Sequence, residues 1–164
     1  MRPGEKTVGI CAENLRSHVY KLAGEIGQRN VFCPQALRQA AEYIEQVWLE
    51  QGYELVHYPC DLNGEQWANL EVSRLGKERS SEIILIGAHY DSVAGSPGAN
   101  DNGSGVAVLL ELSSRMSGWL PNRTVRFVAF MNEEPPFFQT SQMGSRVYAQ
   151  MAFERGDDIR VNYL

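Results

Sequence analysis

The chain has 164 residues, 43% hydrophobic and 21% charged, which suits one domain with a sizeable core. Its net charge of -5 leaves no basic footprint for nucleic acid or an anionic membrane surface. No apolar run approaches the ~20 residues of a transmembrane helix, so no membrane partner is expected. Met1-Arg2-Pro3-Gly4-Glu5 lacks the apolar core of a secretory signal, but a removed leader would leave no trace, so the compartment stays undetermined. Cys11, Cys33 and Cys60 are odd in number and lack CxxC spacing, which favours free thiols over a zinc knuckle or a disulfide framework.

The first third reads as scaffold. Leu15, Val19, Leu22 and Ile26 have helical spacing, with Gly24 and Gly27 at the fraying end. Pro34 suits the first turn of a second helix, whose buried stripe is Leu37, Ala41, Ile44 and Trp48 and whose stop is Gly52. His18 and His57 have no acidic or histidine neighbour at a useful spacing and are read as structural. Residues 53–59 and 67–74 read as strands joined across Asn63-Gly64, an antiparallel hairpin at a sheet edge. Residues 76–81 read as a polar loop, and no internal repeat or linker interrupts the chain.

The informative stretch follows. Residues 83–87, Ile-Ile-Leu-Ile-Gly, read as a strand buried on both faces, ending in His89-Tyr90-Asp91-Ser92. A Gly/Pro/Asn-rich loop leads to Asp101-Asn102-Gly103-Ser104-Gly105, from which a helix carries Val108, Leu109 and Leu112 on its apolar face. Pro121-Asn122 breaks that helix, and residues 125–131 form a second strand ending in Asn132-Glu133-Glu134. Strand, crossover helix and strand imply parallel pairing, with ligands in the crevice beyond the strands' carboxyl ends. His89, Asp91, Asp101, Glu133 and Glu134 all fall at that end.

A zinc ion takes imidazole nitrogens and carboxylate oxygens, and two ions roughly 3.5–4 Å apart need a bridging carboxylate. His89 can supply a nitrogen, and Asp91, on the same side of an extended chain, can hold the other ring nitrogen. Asp101 precedes a glycine-rich helix start that admits close approach of a ligand. Adjacent Glu133 and Glu134 point to different sides, so one can bind metal while the other faces water. Singly, a His-x-Asp, an Asp-Asn-Gly turn and a Glu-Glu pair are commonplace; together at the ends of two parallel strands they are specific.

Three motifs carry a resemblance: residues 86–92 (Ile-Gly-Ala-His-Tyr-Asp-Ser), 98–105 (Gly-Ala-Asn-Asp-Asn-Gly-Ser-Gly) and 130–134 (Phe-Met-Asn-Glu-Glu). In that order they resemble the di-zinc aminopeptidase family, whose relatives include carboxypeptidases and glutaminyl cyclases. The resemblance runs from about Leu15 to the last residue. It implies that His89 is the histidine ligand of one zinc and Asp91 its orienting partner. It further implies that Asp101 is the bridging aspartate, with a cis bond to Asn102, that Glu133 is the general base and that Glu134 is the ligand of the second zinc. Gly144-Ser145 resembles the pair that opens the next helix. The implied chemistry is metal-assisted hydrolysis, in which Glu133 takes a proton from the attacking water and passes it to the leaving amine.

Two departures stand out. The segment between Glu134 and Gly144 is longer than the common family form and holds Pro135-Pro136-Phe137-Phe138, so Phe137 and Phe138 are expected to line the substrate crevice or to pack beneath it. The family's remaining ligands, an acidic residue after the next strand and a distant histidine, have no counterpart: residues 159–164 read as that strand, Asp157 and Asp158 sit at its wrong end, and no histidine follows His89. The expected fold is therefore α/β, a three-layer α/β/α sandwich with a mixed, partly parallel sheet, truncated on its C-terminal side. Residues 1–164 are expected to be the N-terminal portion of a zinc-peptidase domain. Peptide is the expected substrate. Two zinc ions are expected in the complete enzyme, with weak or absent zinc and no turnover in this chain. The strand at Ile159 to Leu164, with Val161 on it, is expected to self-associate or fray. The alternatives are a glutaminyl cyclase or carboxypeptidase relative, or a non-catalytic binding scaffold.

Overall fold

The computed structural model describes residues 12–62 and 65–163. Ala12–Val19 is an α-helix (α1) that runs on as a π-helical segment over Tyr20–Ile26 and ends at Gly27, where φ is +81°. Helix α2 (Pro34–Glu50) starts on its proline, which has no N–H to leave unpaired. It buries Leu37, Ala40, Ile44 and Trp48, so the stripe passes through Ala40 where Ala41 was expected. Gly52, at φ +78°, turns the chain out of α2.

Strands β1 (Val56–Leu62) and β2 (Glu65–Arg74) form the expected antiparallel edge hairpin. The turn at Asn63-Gly64 lies outside the described residues. β1 begins at Val56 and not at Tyr53, because the Tyr53 ring is buried in the core and its hydroxyl donates to the Ser113 carbonyl at 2.7 Å. β3 (Arg79–His89) starts inside the stretch read as loop, since Arg79 pairs with Arg123 across a register shift. Helix α3 (Gly105–Met116) and strand β4 (Arg123–Phe130) complete the crossover, with β3 and β4 parallel. Helix α4 (Gly144–Arg155) leads to β5 (Asp158–Tyr163), which pairs parallel with β3.

The sheet order is β1-β2-β4-β3-β5. One face carries Leu70, Val72, Val125, Phe127, Ala129 and Met131 beneath α2, α3 and Leu22 of the π-helical segment. The other packs Leu85, Val128 and Phe130 against Tyr148 and Ala152 of α4. These two cores on opposite faces of a mixed sheet make the expected three-layer α/β arrangement. Central β4 is buried on both sides, as a run of apolar residues between parallel and antiparallel neighbours should be. β3 departs from that expectation: Ile84 and Ile86 are only half-buried, because β3 lies one strand from the β5 edge. Helix α3 is covered almost all round, with Val106, Ala107, Leu109 and Leu110 buried, whereas Val108 and Leu112 are half-buried.

Two details set the functional end. The Phe130 ring packs onto Gly87, where a Cβ would lie 2.3 Å from it, so that strand position admits only glycine. His89 is in register with Phe130, so the segments leaving β3 and β4 emerge side by side. Asp157 and Asp158 sit at the opposite end, Asp158 in register with Glu82, and do not reach that edge.

Candidate metal and catalytic site

His89 is the last residue of β3, and the Tyr90 N–H still donates to the Phe130 carbonyl at 2.8 Å, which prolongs the pairing past His89. His89 and Asp91 therefore share a side, and Nδ1 of His89 lies 3.2 Å from Oδ1 of Asp91. Nε2 of His89 lies 2.9 Å from Oδ1 of Asp101. Burial disfavours the charged imidazole, but the bonds to Asp91 and then Asp101 outweigh it and raise its proton affinity.

Asp91 is almost fully buried and does more than orient the ring. Its Oδ1 accepts the Glu133 N–H at 3.2 Å and its Oδ2 the Glu134 N–H at 3.0 Å. One carboxylate thus ties the end of β3 to the turn after β4. That turn is made by Asn132 at φ +56°, a left-handed conformation that asparagine tolerates better than most residues.

Asp101 comes from a kinked turn over Ala99–Ser104, entered through Gly98 at φ +58°, and its peptide bond to Asn102 is cis. The Asn102 side chain accepts the Gly105 N–H at 3.0 Å and so opens α3. The loop between is pinned by Arg29. This residue is fully buried and donates to the carbonyls of Tyr90 at 2.7 Å, Gly98 at 2.9 Å and Gly27 at 3.2 Å. Burial lowers the Arg29 guanidinium to a pKa of about 10, against the pull of Asp91.

One ligand atom each from His89, Asp101 and Glu134 lie within 4.8 Å of one another. Glu134 has its proton affinity raised by burial first and then by the neighbouring carboxylates of Asp101, Asp91 and Glu133, with His89 opposing. One imidazole nitrogen and two carboxylates crowded in this way fit a divalent cation of zinc's chemistry. Glu133 turns the other way. Its Oε1 accepts the Ser145 N–H at 2.6 Å and its Oε2 the Ser145 hydroxyl at 2.8 Å. Burial raises its proton affinity, and the Ser145 bonds moderate that. The donor is the first turn of α4, where helix N–H groups favour an anion.

The expected rim residues part company. Phe137 is half-buried against the main core, and its N–H donates to the Glu134 carbonyl at 3.0 Å. Phe138 is 56% exposed. Elsewhere, His18 bonds the Tyr43 hydroxyl at 2.6 Å. His57 does have an acidic partner, Glu45 at 2.8 Å, supplied from α2 and invisible to local spacing. Cys33 and Cys60 are free, Cys33 half-buried and Cys60 buried; Cys11 lies outside the described residues.

Residues 69–164 match the description Peptidase family M28. The uncharacterized protein YfbL of Escherichia coli (strain K12) is 36% identical over 145 residues, covering 84% of this chain and 44% of that protein. Aminopeptidase YwaD of Bacillus subtilis (strain 168) is 49% identical over 53 residues, covering 32% of this chain and 12% of that protein. The crystal structure of Acidobacteriales bacterium glutaminyl cyclase superposes with a TM-score of 0.76 at 20% identity, over 97% of this chain and 59% of that one. A Zn-dependent exopeptidase from Parabacteroides distasonis ATCC 8503 gives a TM-score of 0.68 at 20% identity, over 85% and 56%. The chain thus spans less than half the length of YfbL, and the two structural likenesses speak to fold alone.

Proposed function

The chain belongs to peptidase family M28, and from that premise we propose that it is the N-terminal portion of a zinc-peptidase domain whose complete form is an aminopeptidase-like hydrolase of peptide bonds. The observation that carries this reading is the convergence of His89, Asp101 and Glu134 within 4.8 Å, beside a Glu133 carboxylate held at both oxygens. His89 Nε2, Asp101 and Glu134 would hold zinc. Zinc bound there would polarise the scissile carbonyl and lower the pKa of a bound water toward ~7.

The chain's own residues do the rest. Asp91 accepts the His89 Nδ1 proton, which leaves Nε2 as the ligand lone pair. Glu133 takes the proton of the attacking water on a carboxylate oxygen and returns it to the leaving amine. The half-buried setting that raises its proton affinity suits a base that must also act as an acid. Phe138, exposed after the carboxylate pair, contributes apolar contact to a substrate side chain. Among the described residues three side chains converge, and on this proposal they form a weak site for a single ion that supports no peptide turnover by itself. β5 pairs only with β3 among the described residues, and on the same proposal its other edge takes a second copy of the chain. A strictly monomeric chain in light scattering would refute that last element.

The test is turnover of aminoacyl-p-nitroanilides by the longest natural form of the protein. Hydrolysis abolished by chelation and restored by zinc is expected. Chelator-resistant hydrolysis would overturn the reading. Cyclisation of N-terminal glutamine without hydrolysis would move the protein to the glutaminyl cyclase alternative.

A further inference from the structure

Residues 131–144 form a loop whose two ends meet. The Gly144 N–H donates to the Met131 carbonyl at 3.0 Å, so tightly that a Cβ on Gly144 would lie 2.0 Å from that oxygen. The loop between carries Glu133, Glu134, the half-buried Phe137 and the exposed Phe138. A third strand closes its base. Asn69, in β2, is fully buried, accepts the Met131 N–H on Oδ1 at 3.1 Å and donates from Nδ2 to the Gly144 carbonyl at 2.9 Å. The residue after Gly144 is Ser145, whose N–H and hydroxyl hold the Glu133 carboxylate.

We infer that Asn69 is a positioning residue for Glu133, acting through Gly144 and Ser145. This rests on the proposed role of Glu133 as the base. The physical reason is geometric. Asn69 sits between Ala68 and Leu70 in β2, and an amide is a poor strand former; like the buried Glu71 two residues on, which accepts from Tyr148, it is there for its bonds and not for packing. A buried amide persists only where its groups are bonded, and here one side chain bonds both ends of the loop. Gly144 cannot drift from Met131 while Asn69 spans them, so the first turn of α4 keeps its N–H and the Ser145 hydroxyl aimed at Glu133. Without the clasp, one backbone bond and the Glu133–Ser145 bonds themselves are left to hold the loop ends, and the entropy of a loop of this length works against them.

The test needs no catalysis. In Glu133→Ala the Ser145 amide proton loses its side-chain acceptor, and its resonance marks the unbonded limit. In Asn69→Ala the Ser145 resonance should move most of the way to that limit. Its hydrogen exchange should quicken ~10-fold or more, while Leu109 and Leu110 in α3 stay within about twofold. Asn69→Asp, nearly isosteric, keeps the acceptor for Met131 but loses the donor to Gly144, and should show the same displacement. An unmoved Ser145 resonance in a folded variant would overturn the inference. So would uniform acceleration of exchange, or failure of both variants to fold, since either assigns Asn69 to the fold at large. The outcomes are separable from the functional reading: a Glu133→Gln enzyme with normal turnover would sink that reading and leave the clasp intact.

Discussion

Two clusters of charge sit on the same sheet and differ in one respect. On the α4 face, Arg126 bonds Asp157 at 2.6 Å and lies 3.6 Å from Glu71, Tyr148 donates to Glu71, and Arg155 bonds Asp157 at 2.8 Å. Two guanidiniums there answer two carboxylates, and the Arg126 and Arg155 bonds hold Asp157 below the usual carboxylate range against its burial. At the carboxyl end of β3 and β4, Asp91 and Asp101 bond the imidazole of His89, Glu134 converges with them and Glu133 lies beside them on Ser145, and burial and like charge push both glutamates up. The first cluster is complete in itself and is a stability device. The second has an excess of negative charge that a cation would relieve, in keeping with the proposed metal site.

The sharpest way to break this contrast is Glu133→Gln in the complete enzyme. The amide keeps size but cannot take the proton, so turnover should fall ~10²–10⁴-fold with zinc retained. Near-normal turnover of the metal-loaded variant would remove Glu133 from the mechanism. The mirror experiment is Arg126→Met. It leaves Glu71, which is 5% exposed, with only the Tyr148 hydroxyl and Asp157 with only Arg155, and should cost on the order of 3 kcal/mol of stability by urea unfolding. Zinc affinity should not change. The same cluster has a pH signature. Because the folded pKa of Asp157 is depressed, its contribution is present above the ordinary carboxylate value and is lost as pH falls through the lowered one. Arg126→Met should therefore flatten the acid limb of the stability curve.

Asp91→Asn tests the link between the two strand ends. The amide still offers an oxygen but loses the charge facing His89 Nδ1, and zinc affinity should weaken ~10–100-fold, read by chelator competition. Unchanged affinity would reduce Asp91 to a loop tie. The smallest effects separate the phenylalanines. Phe137→Ala should lose about 1 kcal/mol from its core contact, with substrate ratios unchanged. Phe138→Ala should stay within about 0.5 kcal/mol and shift the ratio among substrates of different side chain.

The site was largely legible because its parts are local. His89 and Asp91 share a side through strand alternation, and parallel β3 and β4 bring Glu134 beside them. The supports were not legible, because they are buried side chains bonding backbone far away in sequence. Arg29 reaches Tyr90 and Gly98, and Asn69 reaches Met131 and Gly144. An amide between Trp67-Ala68 and Leu70, in the most apolar part of β2, was the available signal for Asn69. Arg29 had none, since a buried arginine looks like any surface arginine until the carbonyls around it are known. The strand boundaries slipped for a similar reason: Tyr53 carries strand-like chemistry but is used by α3 through Ser113.

The most direct measurement is a zinc titration of the chain followed by the imidazole ¹⁵N resonances of its histidines. The expected result is a shift of His89 Nε2 toward the metal-bound position, with Nδ1 remaining protonated against Asp91 and with His18 and His57 unmoved. An unresponsive His89, or binding that appears at His57 and Glu45 instead, would contradict the assignment of His89, Asp101 and Glu134 as the metal site.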